Sequence, residues 1–188
     1  MFYASAIIPK IEKDAKLEPN TQYIFCSNHS SILDVPFMFL ISKKPISFIG
    51  KESLAKIPIF GYYYRTFNVL VNRKSLRDSY MAFQKAGQQI KEGKNMVIFP
   101  EGGIVDNKVR LSRFKNGLFR LAIEQNITII PITFADNHSI FPSSYTKGRP
   151  GKARVFIHKG VKPQNKDVET LKQEVYNIID QQLIKYEN

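Results

Sequence analysis

The sequence predicts a single α/β domain over residues 1–188, with a mainly parallel sheet covered by helices on both faces. Short apolar runs rich in β-branched and aromatic residues alternate with segments of helical periodicity. The 188 residues suffice for one domain with a sizeable core, and no internal repeat or long linker divides them. Alternating strands and helices indicate parallel strands, because each helix returns the chain to the same edge of the sheet.

The first 22 residues are open to several interpretations. Met1–Pro9 is apolar, but it is too short to cross a bilayer and lacks the basic region and cleavage signal of a secretory leader. It is an interfacial anchor, the end of a longer apolar segment, or an ordinary first strand or helix of the core. Residues 10–22 are more charged and end in a turn at Glu18–Thr21. We therefore treat residues 1–22 as a candidate interfacial or truncated N-terminal segment.

From residue 23 onwards the predicted elements follow one another closely. The predicted strands are Tyr23–Cys26, Ile46–Gly50, Asn68–Arg73, Asn95–Phe99, Ile127–Phe134 and Ala153–His158. The predicted helices are Ile32–Ile41, Leu76–Glu92, Phe114–Gln125 and Val168–Lys185. Pro36 falls near the first turn of its helix, where a missing N–H costs little, and Gly93 is expected to terminate the next one. Leu54–Phe67, which contains Pro58 and Gly61, is predicted to form short helices or an irregular segment.

Composition narrows the classes of function. Lys and Arg number 28 against 16 Asp and Glu, a formal charge of +12. This predicts an anionic partner: a phosphate-bearing substrate, an acidic carrier, a lipid surface or nucleic acid. The single cysteine, Cys26, excludes an internal disulfide and lies in an apolar strand that favours inert packing. His29, His138 and His158 have no metal-binding spacing, so we expect no metal and interpret His138 and His158 as ordinary polar residues.

The most informative stretch is Ser27–Asp34, where a predicted strand gives way to a helix. His29 precedes Asp34 by five residues, and within one helix that step would leave two side chains about 140° apart. They meet only if His29 lies on the incoming loop and Asp34 in the first turn, which the flanking pattern predicts. Ser31 and Asp34 also fit a capping box, so a purely structural role for Asp34 stays open.

Polar residues follow three predicted strands at their carboxyl ends. Asn28 and His29 follow the first, Asn72 and Arg73 end the third, and Glu101 and Gly102 follow the fourth. Because parallel strands deliver their carboxyl ends to one edge of the sheet, we expect His29, Arg73 and Glu101 to converge on one cleft.

A histidine held by a carboxylate suits proton abstraction from an alcohol. The sequence has no G-x-S-x-G nucleophile motif, so the alcohol is expected to belong to a substrate that attacks an activated acyl group directly. Arg73 offers a planar fork for a phosphate, and Gly102 and Gly103 let backbone N–H groups approach a ligand. Taken singly, Arg73 fits a surface salt bridge equally well, and Glu101–Gly103 fits a simple turn.

These residues carry a resemblance to the PlsC-type glycerolipid acyltransferases, especially the 1-acyl-glycerol-3-phosphate acyltransferases. Asn28–Asp34 is similar to the family's N-H-x-x-x-x-D block. The other similar segments, in the family's order, are Val71–Arg73, Phe99–Gly102, Phe114–Gly117 (the F-K-x-G segment) and Ile130–Ile132. Together the blocks cover roughly residues 22–134.

The resemblance implies transfer of a fatty acyl group from an acyl-CoA or acyl carrier protein thioester to a lysophospholipid hydroxyl, with no bound cofactor. By this likeness His29 is the general base, Asp34 its orienting partner, and the acceptor's phosphoglycerol part is bound by Arg73, Glu101 and Gly102, with Gly103 and Lys115 close by. The protein is expected on the cytoplasmic side of a membrane, where it binds anionic lipids peripherally.

Two departures from the family pattern concern the acceptor. Asn72 replaces the commoner aspartate, and Gly103–Ile104 stands where the family often has Thr-Arg. The missing arginine weakens the case for a bare phosphate monoester, unless Arg110 or Arg113 substitutes for it.

Two rival functions stay open at this point. The first is a thioesterase that uses the same dyad with water as the acceptor. The second is a basic binding module for lipid or nucleic acid, although the cations are dispersed and no nucleic-acid motif is present, so no nucleic-acid partner is expected.

Overall fold

The computed structural model describes residues 6–14, 16–56, 60–72, 75–106, 108–142 and 148–187. The strands are β1 (Ile7–Lys13), β2 (Ile24–Ser27), β3 (Ile46–Lys51), β4 (Val69–Val71), β5 (Asn95–Ile98), β6 (Ile129–Phe134) and β7 (Gly151–Ile157). The helices are α1 (Asp34–Ile41), α2 (Phe60–Phe67), α3 (Leu76–Lys91), α4 (Gly117–Glu124), α5 (Asn137–Ile140) and α6 (Val168–Glu187). A 3₁₀ turn, Glu52–Lys56, precedes α2.

The strands form one sheet in the order β1-β7-β6-β2-β5-β3-β4. Every neighbouring pair is parallel except β6 and β7, which are antiparallel. The predicted fold class, an α/β domain with a mainly parallel sheet, is confirmed. The carboxyl ends of β2, β5, β3 and β4 lie at one edge, which is where the site described below is built.

Apolar residues pack on both faces of this sheet. One core cluster joins β2, β4, β5 and β6 to α3, α4 and α6 through residues such as Met96, Phe119 and Leu171. The other packs α1 against the opposite face through residues such as Phe37 and Phe134. The helices therefore cover both faces, as the near-continuous apolar strands predict for a parallel sheet.

Some predicted boundaries were wrong. Residues 7–13 form β1 against β7, so the strand extends into the charged segment, while Met1–Ser5 lie outside the described residues. The helix predicted from Phe114 begins only at Gly117. Phe114 is buried in the core, and the Lys115 N–H donates to the carbonyl of Pro100 at 2.9 Å, so this segment is tied to the loop after β5 instead of starting a helix.

His158, interpreted from the sequence as an ordinary polar residue, is buried beside β6. Its Nε2 lies 2.9 Å from the Thr133 hydroxyl, and burial lowers its pKa to about 4. Between about pH 6.5 and pH 4 the unfolded chain binds a proton here that the folded chain does not. We therefore expect the free energy of unfolding to fall over this window by up to about 3 kcal/mol as the pH drops.

The His158→Gln variant tests this expectation by urea unfolding at a series of pH values. The difference in stability between wild type and variant should shrink as the pH falls from about 6.5 to about 4. Parallel pH curves for the two proteins would show that this ring does not drive the acid sensitivity.

Candidate active site

His29 lies on the loop after β2, and Asp34 is the first residue of α1. The Nδ1 of His29 is 2.9 Å from the Oδ2 of Asp34. The Asp34 side chain is fully buried, whereas 13% of the His29 side chain is exposed. The structure therefore brings together the two residues that the sequence placed on neighbouring elements.

The Asp34 carboxylate also organises the loop that carries His29. Its Oδ2 accepts the backbone N–H of Ser30 at 2.8 Å and of Ser31 at 2.9 Å. The Ser31 hydroxyl does not complete a reciprocal capping box, because it accepts from Leu33 N–H and donates to the carbonyl of Phe141. One carboxylate thus both accepts backbone N–H groups at the start of α1 and contacts the His29 ring.

Asn137 is a partner of Asp34 that the sequence analysis missed. Its Nδ2 donates to the Oδ1 of Asp34 at 2.7 Å, and the whole residue is buried. Asn137 is the first residue of α5 and follows the carboxyl end of β6 closely. This position after a strand end was the feature of the sequence that could have indicated Asn137 as a site residue. The Asn28 side chain links the end of β2 to the end of β6, because it exchanges two hydrogen bonds with the backbone of Phe134.

The contact with Asp34 favours one tautomer of His29. A carboxylate accepts hydrogen bonds, so the tautomer that pairs with it has its proton on Nδ1 and a lone pair on Nε2. The ring stacks on Phe99, with centroids 3.9 Å apart and planes 16° from parallel. Within the described part of the chain no hydrogen bond engages Nε2. A partly exposed nitrogen held in this orientation can accept a proton from a substrate hydroxyl.

Glu101 holds the histidine loop in place through the backbone. Its Oε1 accepts the N–H of His29 and its Oε2 the N–H of Ser112, both at 2.7 Å. Burial raises the pKa of Glu101, while the N–H donors of Ser112 and His29 lower it. The carboxylate therefore bridges the loop after β2 to the loop before α4.

We expect Glu101→Gln to act on the chemical step more than on the acceptor. An amide side chain accepts both N–H groups poorly, because its nitrogen is itself a donor. The free energy of unfolding should fall by about 1–3 kcal/mol and kcat by roughly tenfold, with the KM for the acceptor nearly unchanged. Kinetics with varied acceptor check this, and a change confined to KM would show that Glu101 binds the acceptor directly.

Gly102 and Lys115 lie against each other at the end of β5. Gly102 has a left-handed backbone (φ 84°), and a Cβ placed on it would meet the Nζ of Lys115 at 2.7 Å. Its N–H donates to the carbonyl of Phe99 within the turn. A Cβ placed on Gly103 would have no heavy atom of the described residues within 4 Å. The missing Cβ of Gly102 thus makes room for the Lys115 ammonium, and the space beside Gly103 is open to the described residues.

The structure describes two of the three arginines that the sequence suggested as phosphate ligands. Arg73 lies outside the described residues, although Val71 and Asn72 lead to the expected edge. The Nε of Arg110 lies 2.8 Å from the Oδ1 of Asp180 in α6, so its guanidinium is engaged in an ion pair. Arg113 is exposed.

A cavity of about 450 Å³ opens beside this edge, between the sheet, α3 and α4. Phe99, Gly102 and Lys115 stand among its lining residues. Its apolar lining comprises Ile49, Val71, Phe83, Ile98, Phe99, Leu118 and Leu121. The volume lies in the range of small-molecule and cofactor pockets, and an apolar wall suits a hydrocarbon chain.

The described residues contain no group of three or more His, Cys, Asp or Glu side chains arranged to hold a metal ion. None of the helices in the described ranges has the length and apolar character needed to span a bilayer.

Comparisons with known proteins place these residues in context. The sequence pattern of the Acyltransferase family matches residues 8–135. A 1-acyl-sn-glycerol-3-phosphate acyltransferase of Chlamydomonas reinhardtii is 31% identical over 155 residues, which cover 81% of this chain and 46% of that protein. A chloroplastic enzyme of the same name from Arabidopsis thaliana is 30% identical, over 79% of this chain and 42% of the relative. The chain thus spans less than half the length of these relatives.

Two further proteins extend the comparison. A lyso-ornithine lipid O-acyltransferase of Pseudomonas aeruginosa is 26% identical over 62% of this chain and 44% of that protein. The crystal structure of the 1-acyl-sn-glycerophosphate acyltransferase PlsC from Thermotoga maritima superposes with a TM-score of 0.81 at 24% identity. That match covers 98% of this chain and 73% of the other, and it shows that the two share a fold.

Proposed function

This chain belongs to the acyltransferase family, and we propose that it transfers a fatty acyl group from an acyl thioester to the hydroxyl of a lysophospholipid such as 1-acyl-sn-glycerol-3-phosphate. The observation that carries the proposal is the 2.9 Å contact between His29 and Asp34 at the carboxyl edge of the sheet. Relatives named as acyltransferases for this acceptor support the choice of substrate class.

The proposed reaction needs no acyl-enzyme intermediate. The Nε2 of His29 removes the proton of the acceptor hydroxyl as its oxygen attacks the thioester carbonyl, and Asp34 stabilises the resulting imidazolium. Collapse of the tetrahedral intermediate breaks the carbon–sulfur bond, and the imidazolium returns its proton to the departing thiolate. Among the described residues no serine hydroxyl is hydrogen-bonded to the His29 ring. Cys26 is buried within β2, and burial raises the pKa of its thiol well above the usual value.

The apolar cavity beside Phe99 supports the proposed donor. An acyl chain lying between the sheet, α3 and α4 would bring its thioester to the edge where Gly102 and Lys115 stand. Both coenzyme A and acyl carrier protein present the acyl group as a thioester on a phosphopantetheine arm, so either donor fits this arrangement.

Lys115 is the described cation closest to Gly102, and we propose that it binds the acceptor's phosphate, together with Arg73 by family likeness. We expect Lys115→Gln to raise the KM for a phosphate-bearing lysolipid about tenfold, because a hydrogen bond to a charged group is lost. The KM for lyso-ornithine lipid, which lacks phosphate, should change little. An equal rise for both acceptors would contradict this role.

Product analysis tests the proposed function directly. The chain is incubated with an acyl-CoA or acyl carrier protein thioester and a panel of lysolipids, and the products are identified by mass spectrometry. We expect diacylated phospholipid. Free fatty acid alone, even with abundant lysophospholipid, would show that the chain is a thioesterase instead.

A further inference from the structure

The outer face of α1 exposes large apolar side chains in a continuous stripe. Ile32, just before the helix, is 36% exposed, and Phe39 and Leu40 are 60% and 49% exposed. Their spacing of seven and eight residues places them on one side of the helix, two turns apart. Val35 and Pro36, between them, are half-buried. A helix that is apolar on its solvent face as well as its core face implies a second apolar surface outside the domain.

The surroundings of this stripe are cationic. Lys43 and Lys44 follow α1 directly, and Lys51 ends the neighbouring strand β3. From residue 30 to residue 51 the single acidic residue is Asp34, which is buried and engaged by His29. Within the described residues none of these three lysines forms an ion pair. An apolar stripe with lysines at its margins matches the charge and polarity of an anionic lipid surface.

An aromatic path connects the stripe to the catalytic ring. Phe39 contacts Phe48 with ring centroids 5.7 Å apart, and Phe48 stacks on Phe99 at 6.3 Å. Phe99 in turn stacks on His29 at 3.9 Å. The exposed helix face is thus joined to the proposed general base by a series of ring contacts that passes through the buried Phe48.

We propose that this face of α1, defined by Ile32, Phe39 and Leu40 with Lys43 and Lys44, docks on an anionic bilayer. The inference rests on the proposed function, because an enzyme with a lipid acceptor needs to bind the bilayer that contains this acceptor. In the docked state Phe39 and Leu40 enter the interface and the lysines contact lipid phosphates. The ring contacts from Phe39 to Phe99 then hold the docked face in a fixed position relative to His29.

Vesicle binding without substrate tests the docking surface separately from catalysis. The full chain is sedimented with vesicles of phosphatidylcholine containing phosphatidylglycerol and with vesicles of phosphatidylcholine alone. We expect tighter binding to the anionic vesicles, weakening as salt is raised. The Phe39→Ser/Leu40→Ser variant should bind roughly 10- to 100-fold more weakly, because two apolar side chains no longer enter the interface.

A control pair exists outside α1. Met81 of α3 and Val109 of the loop before α4 are 45% and 47% exposed, so Met81→Ser/Val109→Ser removes exposed apolar surface elsewhere. This control should bind vesicles like the wild type. Wild-type binding by the α1 variant, or an equal loss in the control, would overturn the proposal, as would a concentration-dependent dimer that buries α1 and binds no vesicles.

A second variant keeps the test independent of the fold of α1. Lys43→Glu/Lys44→Glu alters side chains outside the helix and should weaken binding to anionic vesicles by about tenfold or more, with little effect on neutral ones. Equal binding to both vesicle types by wild type and this variant would contradict the charge argument. The His29→Gln variant should bind vesicles normally, so a failure of catalysis and a failure of docking give different results.

Discussion

His29→Gln is expected to lower the kcat of acyl transfer by roughly 10²–10⁴-fold, which is the usual contribution of a positioned general base. The glutamine side chain has a similar reach, but it has no basic nitrogen that can take the proton of an acceptor hydroxyl. The fold should survive the lost stacking on Phe99, because the glutamine amide can still donate a hydrogen bond to Asp34 and the position is partly exposed. Steady-state kinetics and thermal unfolding of the same preparation check both parts.

His138→Gln is the matched control for this substitution. His138 lies on α5, close in sequence to Asn137 but with no part in the dyad, so its replacement should leave kcat within about twofold of wild type. Retained turnover in His29→Gln, or an equal loss in both variants, would remove His29 from the proposed mechanism.

Two substitutions of Asp34 should differ in their effects on stability and activity. Asp34→Ala removes the acceptor of four donors: the His29 ring, two backbone N–H groups and the Asn137 amide. These buried donors would lack a partner, so we expect a loss of about 3–5 kcal/mol in the free energy of unfolding together with loss of activity.

Asp34→Asn should instead preserve the fold and abolish most of the activity. The buried Oδ1 of Asn137 has no hydrogen-bond partner within the described residues. A 180° flip of the Asn137 amide would therefore present this oxygen to the new amide nitrogen, while the new amide oxygen still accepts from the loop. The stability loss should stay below about 2 kcal/mol, yet kcat should fall roughly 10²–10⁴-fold because no negative charge stabilises the imidazolium.

Urea unfolding and steady-state kinetics of both Asp34 variants separate these roles. A fully active Asp34→Asn protein would show that the carboxylate is only a helix cap. Combining it with Asn137→Ala provides a further check, because that change removes the flipped acceptor and should lower stability further.

Local patterns were enough to place the dyad. The apolar run before His29 and the helical pattern after Asp34 together put the two side chains on opposite sides of a strand-to-helix junction, and the structure joins them at 2.9 Å. The core elements also followed from periodicity: α3 ends at Lys91, and Gly93 follows with φ 91° as the expected terminating glycine. These features depend on residues close in sequence.

Features that depend on distant contacts were not predictable in the same way. Asn137 reaches Asp34 across 103 positions of sequence, and Glu101 meets the His29 N–H across 72. The sequence placed Glu101 correctly at a strand end but could not show that both carboxylate oxygens bind backbone N–H groups. The antiparallel pairing of β6 and β7 could likewise not be predicted, because the residues of each strand suit parallel and antiparallel pairing equally.

Direct acyl transfer predicts that thiol release from the acyl thioester requires the acceptor. Free thiol is followed by rapid mixing with and without lysophospholipid, and the mass of the intact chain is recorded at each time. We expect negligible thiol release without acceptor, release matched to phospholipid formation with it, and an unchanged protein mass. A burst of thiol without acceptor, with the chain gaining the mass of an acyl group, would contradict direct transfer to a hydroxyl activated by His29 and Asp34.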